Sequence, residues 1–466
     1  MEGFLMPHPP IIIPEVGKGE ENKVIKTLKA CKKVGKLINK INPETIIVIS
    51  PHGTIFRDAM SIISSDEIRG DLFRFNTDEV NLKYNIDTDL VREIKNFSDE
   101  MDIHLALINE GTAVEYGITL ELDHGGIVPL YYVNKNSKYK IIHITYSMLS
   151  PIDHLKFGNC IRKAVEKINK NVVFIASGDL SHRLTKDGPY EYSESGKIFD
   201  TKLIEILLKG NMKKLFNIEK TLINEAGECA LRSLYILAGF FNSEFIVSDL
   251  YSYEGNLGVG YAIMNFKEGR GDLLCSINNI REKEHNRRLK EGSIYTRIAR
   301  KSLDYYFRFG KILEIKDIED IGELKEKKGG VFVSLKINGE LRGCIGTIKE
   351  TTDSLGEEII KNSLNAALND YRFPPLTRDE MLEVDISVDI LGKLEKATLE
   401  ELNPKEYGVI VSSGEKRGLL LPNIEGVDTV EKQISIAMSK GEISENEHYS
   451  LEKFKVKRFK EVYLDE

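Results

Sequence analysis

Short runs of β-branched and apolar residues alternate with longer stretches of helical period through the N-terminal part of the chain, as far as Phe266. The apolar runs predict strands at Gly3–Met6, Thr45–Ser50, Ile127–Val133, Lys140–Thr145, Val172–Ser177, Phe245–Tyr251 and Val259–Phe266. Between them, Glu20–Asn42 places Val24, Leu28, Cys31, Val34, Leu37 and Ile38 at helical spacing, and Ser150–Asn169 shows the same period. Alternation of this kind predicts an α/β domain, a mostly parallel sheet flanked by helices on both faces. In such sheets reactive groups collect on loops at the carboxyl ends of the strands.

The pattern changes after Phe266. Lys267–Asp272 is a polar break, and the charge-dense stretch Asn279–Glu291 reads as a solvated connecting helix. A new pattern begins at Ser293: an amphipathic helix over Ile294–Phe309, then Gly330–Ile337 and Gly343–Thr347 on either side of Asn338-Gly339. An Asn-Gly pair between alternating runs is a strong hairpin signal. Asp385–Ile390 and Val409–Ser412 are further strands. The chain therefore divides into a first domain over 1–266, a linker over 267–290 and a second, α+β domain over 291–466.

Composition narrows the class. With 466 residues, 41% hydrophobic and 30% charged, the chain has the profile of a multidomain globular protein. A net charge of −8, with basic residues spread along the chain, gives no nucleic-acid footprint. Apolar stretches such as Thr45–Ser50 and Leu231–Phe241 fall short of the roughly 20 residues of a membrane span, and Met1–Leu5 lacks a signal-peptide pattern. A cytoplasmic protein bound to neither nucleic acid nor membrane is expected, and a homo-oligomer is compatible with the sequence. The five cysteines (Cys31, Cys160, Cys229, Cys275, Cys344) form no CxxC pair, which argues against a disulfide framework or a zinc knuckle.

Histidines stand where the chemistry of an α/β sheet is expected. The first strand runs into Pro7-His8-Pro9, another into Pro51-His52-Gly53, and a third into Gly178-Asp179-Leu180-Ser181-His182. His124, in Asp123-His124-Gly125-Gly126, precedes a predicted strand. His104, His143 and His154 lack such a setting and read as structural. A ferrous centre that activates O2 uses two neutral imidazoles and one carboxylate, with positions left open. His8 and His52 are the natural imidazole pair. The carboxylate is sought in Asn224-Glu225-Ala226-Gly227-Glu228, where Glu225 and Glu228 share one side of a helix start, with Glu254 as a rival. His182 is then free to move protons, and Asp179 either orients a ligand or caps the following turn.

PHPP, SPHG, DHGG, SGDLSH and NEAGE, in that order, make residues 1 to about 266 resemble the LigB-type class III extradiol ring-cleavage dioxygenases and their Memo-like relatives. The resemblance implies a metal held by His8, His52 and Glu225, Fe(II) in the first place and zinc or another divalent ion otherwise. It also implies His182 as acid–base residue and His124 near the substrate, a small aromatic diol or related compound cleaved with O2. Memo-like proteins carry cysteine at the position matched here to Glu225, so the glutamate implies the catalytically competent branch.

In the second domain, Leu341-Arg342-Gly343-Cys344-Ile345-Gly346-Thr347 sets a cysteine between glycines with Arg342 close by. That is either a cation-activated thiol or, as favoured here, a tight hairpin with a buried cysteine acting as a small hydrophobe. With Asp370–Leu376 and Arg417–Pro422, this run makes Ser293–Glu461 resemble the AMMECR family. A Memo-like domain joined to an AMMECR domain is the layout of the AmmeMemoRadiSam system, which implies a radical-SAM protein as partner. The chain itself has no CxxxCxxC. Two functions thus stand side by side: an Fe(II)-dependent oxygenase, and a non-oxidative metal-binding scaffold or maturation factor.

Overall fold

Four strands with their edges in register form the centre of the first unit: Lys140–Thr145, Thr45–Ser50, Val172–Ser177 and Glu2–Met6, all parallel. Thr45–Ser50 and Val172–Ser177 are buried at every position, as strands covered on both faces must be. The computed structural model describes residues 1–133, 139–318, 321–337, 339–424 and 426–461, and contacts group them into two units, Met1–Asn278 and Asn279–Glu466.

The full sheet of the first unit has eight strands in the order Leu105–Ile108, Met60–Ile63, Lys140–Thr145, Thr45–Ser50, Val172–Ser177, Glu2–Met6, Tyr261–Arg270 and Phe245–Glu254. It is mixed: Met60–Ile63 joins antiparallel to Lys140–Thr145, and the last two strands are antiparallel to their neighbours. Helices Ile25–Ile41 and Pro151–Ile168 lie where the helical period placed them. The second starts cleanly because Ser150 and Asp153 cap one another's backbone and Pro151 takes the first helical position, and it stops at Asn169 in the left-handed conformation. One expected strand is a helix. Ile127–Val133 belongs to helix His124–Val133, whose residues Gly125–Leu130 are all buried. A helix buried on every side has no polar stripe, so its apolar run cannot be told from a buried strand by period.

The second unit is α+β. One antiparallel sheet runs Glu340–Gly346, Val331–Ile337, Asp385–Leu391 and Val456–Lys460, and another runs Glu395–Ala397, Ser450–Phe454, Gly408–Ser413 and Lys416–Leu420. Helix Ile294–Phe309 matches the expected bounds. The expected hairpin joins Val331–Ile337 to Glu340–Gly346, although Asn338 lies outside the described residues. The charge-dense stretch Asn279–Glu291 is helical, within Leu273–Glu291, but it is solvated on one face only. Arg281, His285 and Arg288 are buried: Arg281 pairs with Asp379 and Glu383, His285 with Asp304, and Arg288 with Glu284 and Asp385. Charge density misled because every buried charge there has a partner. Among the described residues no helix is long and apolar enough to cross a membrane.

Candidate metal centre

The parallel register levels Met6 with Ser177, Ile49 with Ala176, and Ser50 with Thr145. The residues just beyond these ends therefore meet along one carboxyl edge. His8 arrives two residues after the first strand, and its backbone N–H donates to Asp179 Oδ1 at 3.0 Å, which ties two loops together. His8 is 3% exposed. Its Nδ1 lies 3.0 Å from Ser177 Oγ, while the Ser177 hydroxyl donates its single proton to the Gly125 carbonyl at 2.6 Å. Ser177 can then only accept from His8, so the Nδ1 of His8 carries the proton and Nε2 presents a lone pair. That Nε2 sits 2.9 Å from His52 Nε2.

His8, His52 and His124 form the group of ligand atoms that lie within 4.8 Å of one another. Ring geometry divides the three. The rings of His8 and His52 meet edge to face at 83°, so their in-plane lone pairs can converge on one point. Those of His52 and His124 stack at 27° with centroids 4.1 Å apart. Lone pairs in two nearly parallel planes cannot meet at one ion, so His124 faces the centre as a neighbour of His52. Burial, reinforced by His52 and His8, pushes the His124 pKa down to about 3, which keeps it neutral. The pKa of His8 is lowered by burial and then by His52, and that of His52 is lowered by burial against the pull of Asp123 and Asp179.

A sulfur atom lies beside this pair. Cys229 Sγ lies 3.7 Å from His8 Nε2 and 3.5 Å from His182 Nε2, and it accepts the backbone N–H of Asp179 at 3.2 Å. Gly178 makes this approach possible, since a Cβ there would stand 2.3 Å from the Ala230 Cα. Burial raises the Cys229 pKa well above the usual thiol value, helped by Asp179; a cation against the sulfur is what deprotonates a thiol so placed. Burial also lifts Asp179 to about 6, against the His8 N–H and the charges of His182 and His52. His182 stacks on Tyr190 with centroids 5.0 Å apart, which holds its ring. Burial lowers its pKa while Asp179 opposes.

The donor set fits a metal ion. Two imidazole nitrogens each about 2.1 Å from one ion, bound at near a right angle, stand about 3 Å apart, which is the His8–His52 separation. The Ser177 contact on the remote nitrogen of His8 is the kind of outer hydrogen bond that fixes a ligating imidazole.

The acidic ligand expected at Glu225 is not in this group. Glu225 is exposed on the short helix Lys220–Ala226 and accepts from the Ser195 hydroxyl. Glu228 accepts the Leu231 N–H at 2.7 Å, as a cap for helix Leu231–Phe241, and burial raises its pKa to about 7. The rival Glu254 binds the N–H and hydroxyl of Thr27. Cys229 was the residue missed, one position beyond the run searched for a carboxylate. The Memo-like resemblance carried a cysteine signal, but it was matched to Glu225, four residues short of Cys229. His124, expected before a strand, instead opens a helix.

In the second unit, Arg342 is not the cation beside Cys344. It binds Glu380 and the carbonyls of Pro374 and Pro375. Cys344 Sγ accepts from Ser334, and burial raises its pKa against Ser334, Arg372 and Lys440. The tight hairpin describes it, with the cysteine half-buried instead of buried.

The comparisons agree with this division. Residues 2–264 match the family model described as the catalytic LigB subunit of aromatic ring-opening dioxygenase, and residues 296–464 match AMMECR1. Protein CA_C1420 of Clostridium acetobutylicum is 45% identical over 463 residues, 98% of each chain. A Thermotoga maritima protein is 45% identical over 169 residues, which is 36% of this chain and 97% of that one. Among solved structures, PH0010 of Pyrococcus horikoshii is 28% identical with a TM-score of 0.34, covering 37% of this chain and 92% of that chain.

Proposed function

This chain belongs to the LigB family and carries an AMMECR1 domain, and on that premise we propose a non-haem metal-dependent oxidoreductase of the extradiol type. Its substrate is a small molecule with two adjacent oxygens, such as an aromatic diol, which it cleaves with O2 in the cytoplasm. His8, His52 and Cys229 would hold the metal, Fe(II) in the first place; the thiolate also suits zinc or copper. A bound metal supplies positive charge and open positions that gather the substrate's oxygens. The chain's own residues do the rest. His182, kept neutral by burial and oriented by Tyr190, accepts a proton at Nε2 and can return it. Asp179 locks the His8 loop and gives its N–H to the sulfur. His124 stands neutral beside His52, able to hydrogen-bond a substrate oxygen.

The observation that carries this reading is the pair of Nε2 atoms 2.9 Å apart with the His8 proton fixed on the far nitrogen. Protein purified without oxygen should hold about one metal ion per chain, and oxygen uptake with a panel of catechols should vanish in His182→Ala with its metal retained. Iron-loaded protein that takes up no oxygen with any catechol would remove the oxygenase.

A second reading has its own support. Cys229 stands where the oxygenase donor set has a carboxylate, which favours a non-oxidative scaffold or maturation factor working with a radical-SAM partner. Zinc retained through purification, no oxygen uptake, and co-purification with such a protein are what it requires.

A further inference from the structure

A cavity of about 310 Å³ opens beside His52 and is walled by Gly53, Thr54, Ser61, Arg74, Thr145 and His143, among others. That size is in the range of small-molecule sites, and its walls are rich in hydroxyl groups. His143 in this wall is 2% exposed. Its Nε2 is 2.8 Å from Asp123 Oδ2, yet neither ring nitrogen nor that carboxylate oxygen makes a hydrogen bond among the described residues. Asp123 is itself fastened: Oδ1 accepts from the Ser50 hydroxyl and from the N–H groups of Gly125 and Gly126. It cannot turn to serve the other side of the ring. Buried polar atoms left without partners are costly. Gly53 keeps the space next to the ring clear, since a Cβ there would stand 2.1 Å from Thr145 Oγ1 and 3.3 Å from His143 Cε1.

We infer that this cavity is a specificity pocket for a hydroxyl-bearing arm of the substrate, with the unpartnered His143 imidazole as the group that reads the hydroxyl. The inference rests on the proposed function, because the arm reaches the pocket from a molecule seated at His8 and His52. It goes beyond that function by naming what the substrate carries besides its two adjacent oxygens. His143, with no contact to the metal-binding atoms, is a selecting residue. A pocket built to pair a hydroxyl rejects the analogue that lacks it far more strongly than a greasy pocket rejects an extra methylene.

The test uses full-length, metal-loaded protein under anaerobic conditions, titrated calorimetrically with catechol and with methyl- and hydroxymethyl-catechols substituted at ring position 3 or 4. One hydroxymethyl isomer should bind about tenfold tighter than its methyl counterpart. The preference should disappear in His143→Phe, with metal content and affinity for catechol itself unchanged. If His143→Phe loses metal, His143→Leu with Asp123→Asn removes the imidazole without stranding a charge and should show the same loss of preference. Catechol binding with no preference in either isomer pair overturns the pocket assignment and leaves the diol reading standing. A preference that survives loss of the imidazole overturns the role of His143. Metal-loaded protein that binds none of the catechols overturns the diol reading, and this inference with it.

Discussion

The chain contains two dense knots of buried polar groups, and they are built on opposite rules. Around Arg300, which is fully buried, both Glu461 oxygens, the carbonyls of Val384 and Met381, and His285 Nδ1 all face the guanidinium. His285 in turn gives its other nitrogen to Asp304. Every charge is met by its complement, as a buried ion pair requires. At the carboxyl edge of the first sheet the arrangement is uncompensated. Imidazoles crowd one another, a half-buried thiol faces two of them, and desolvation drives His8, His124, Cys229 and Asp179 each toward its neutral form. Complete pairing marks a knot that holds the fold. Convergent donors without a complement mark a place made for something else.

The comparison is broken most severely at the convergent donors. His8→Ala and His52→Ala should abolish stoichiometric metal binding, and Cys229→Ser should lower affinity by more than about 100-fold, beyond the usual effect of outer partners. Glu225→Gln and Cys344→Ala should leave metal content unchanged, as measured by elemental analysis of anaerobically purified protein. Retained metal in His52→Ala would dissolve the centre. At the other knot, Arg300→Met strands Glu461 in the interior and should cost about 3–5 kcal/mol, read as a lowered unfolding transition of the Asn279–Glu461 unit. A loss of metal in that variant, with the first unit still folded, would contradict the division of roles.

A subtler effect is expected from Ser177→Ala. The serine never touches the proposed ion, but it fixes the proton of His8 on Nδ1. Losing it should weaken metal binding by about 10–100-fold without unfolding the protein. Unchanged affinity would show that the tautomer is set in some other way.

Much of this was legible before any coordinates. The central strands fall where apolar runs are bounded by Pro and Gly, and Thr45–Ser50, Lys140–Thr145 and Val172–Ser177 match to the residue. His8 and His52, placed after strand ends, do meet, and His182 reaches the same edge through Cys229, because register is a property the pattern encodes. What was illegible has physical reasons. Helix His124–Val133 is apolar on all faces, so it has no period to read. Met60–Ile63 and Leu105–Ile108 are four residues long, too short for alternation to show. Glu225 was favoured because a carboxylate suits a ferrous site, yet the turn at Gly227 (φ 62°) carries the chain on so that Cys229 reaches the edge. His143 read as structural because it lies within a strand. Only the coordinates show that it lines a cavity with both ring nitrogens lacking a hydrogen bond among the described residues.

The smallest expected effect tests whether pairing in the second unit is structural throughout. Asp370, with its side chain 2% exposed, accepts the Cys344 N–H at 2.8 Å and binds Arg372 Nε and Nη2 at 2.9 and 2.6 Å. These contacts, the Arg372 bond foremost, hold its pKa down at about 2. An unfolded aspartate titrates near 3.9, so between these values the unfolded chain binds the extra proton. The stabilisation is therefore complete above pH of about 4 and is lost as pH falls through about 2. Arg372 is 37% exposed, so solvent screens the pair, and Asp370→Asn should cost only about 1–2 kcal/mol at neutral pH. The acid-dependent part of that difference should vanish below pH of about 2, where the wild-type carboxyl is itself neutral. A variant whose deficit stayed constant across the whole acid range would mean that shape, not charge, holds the Cys344 hairpin in place.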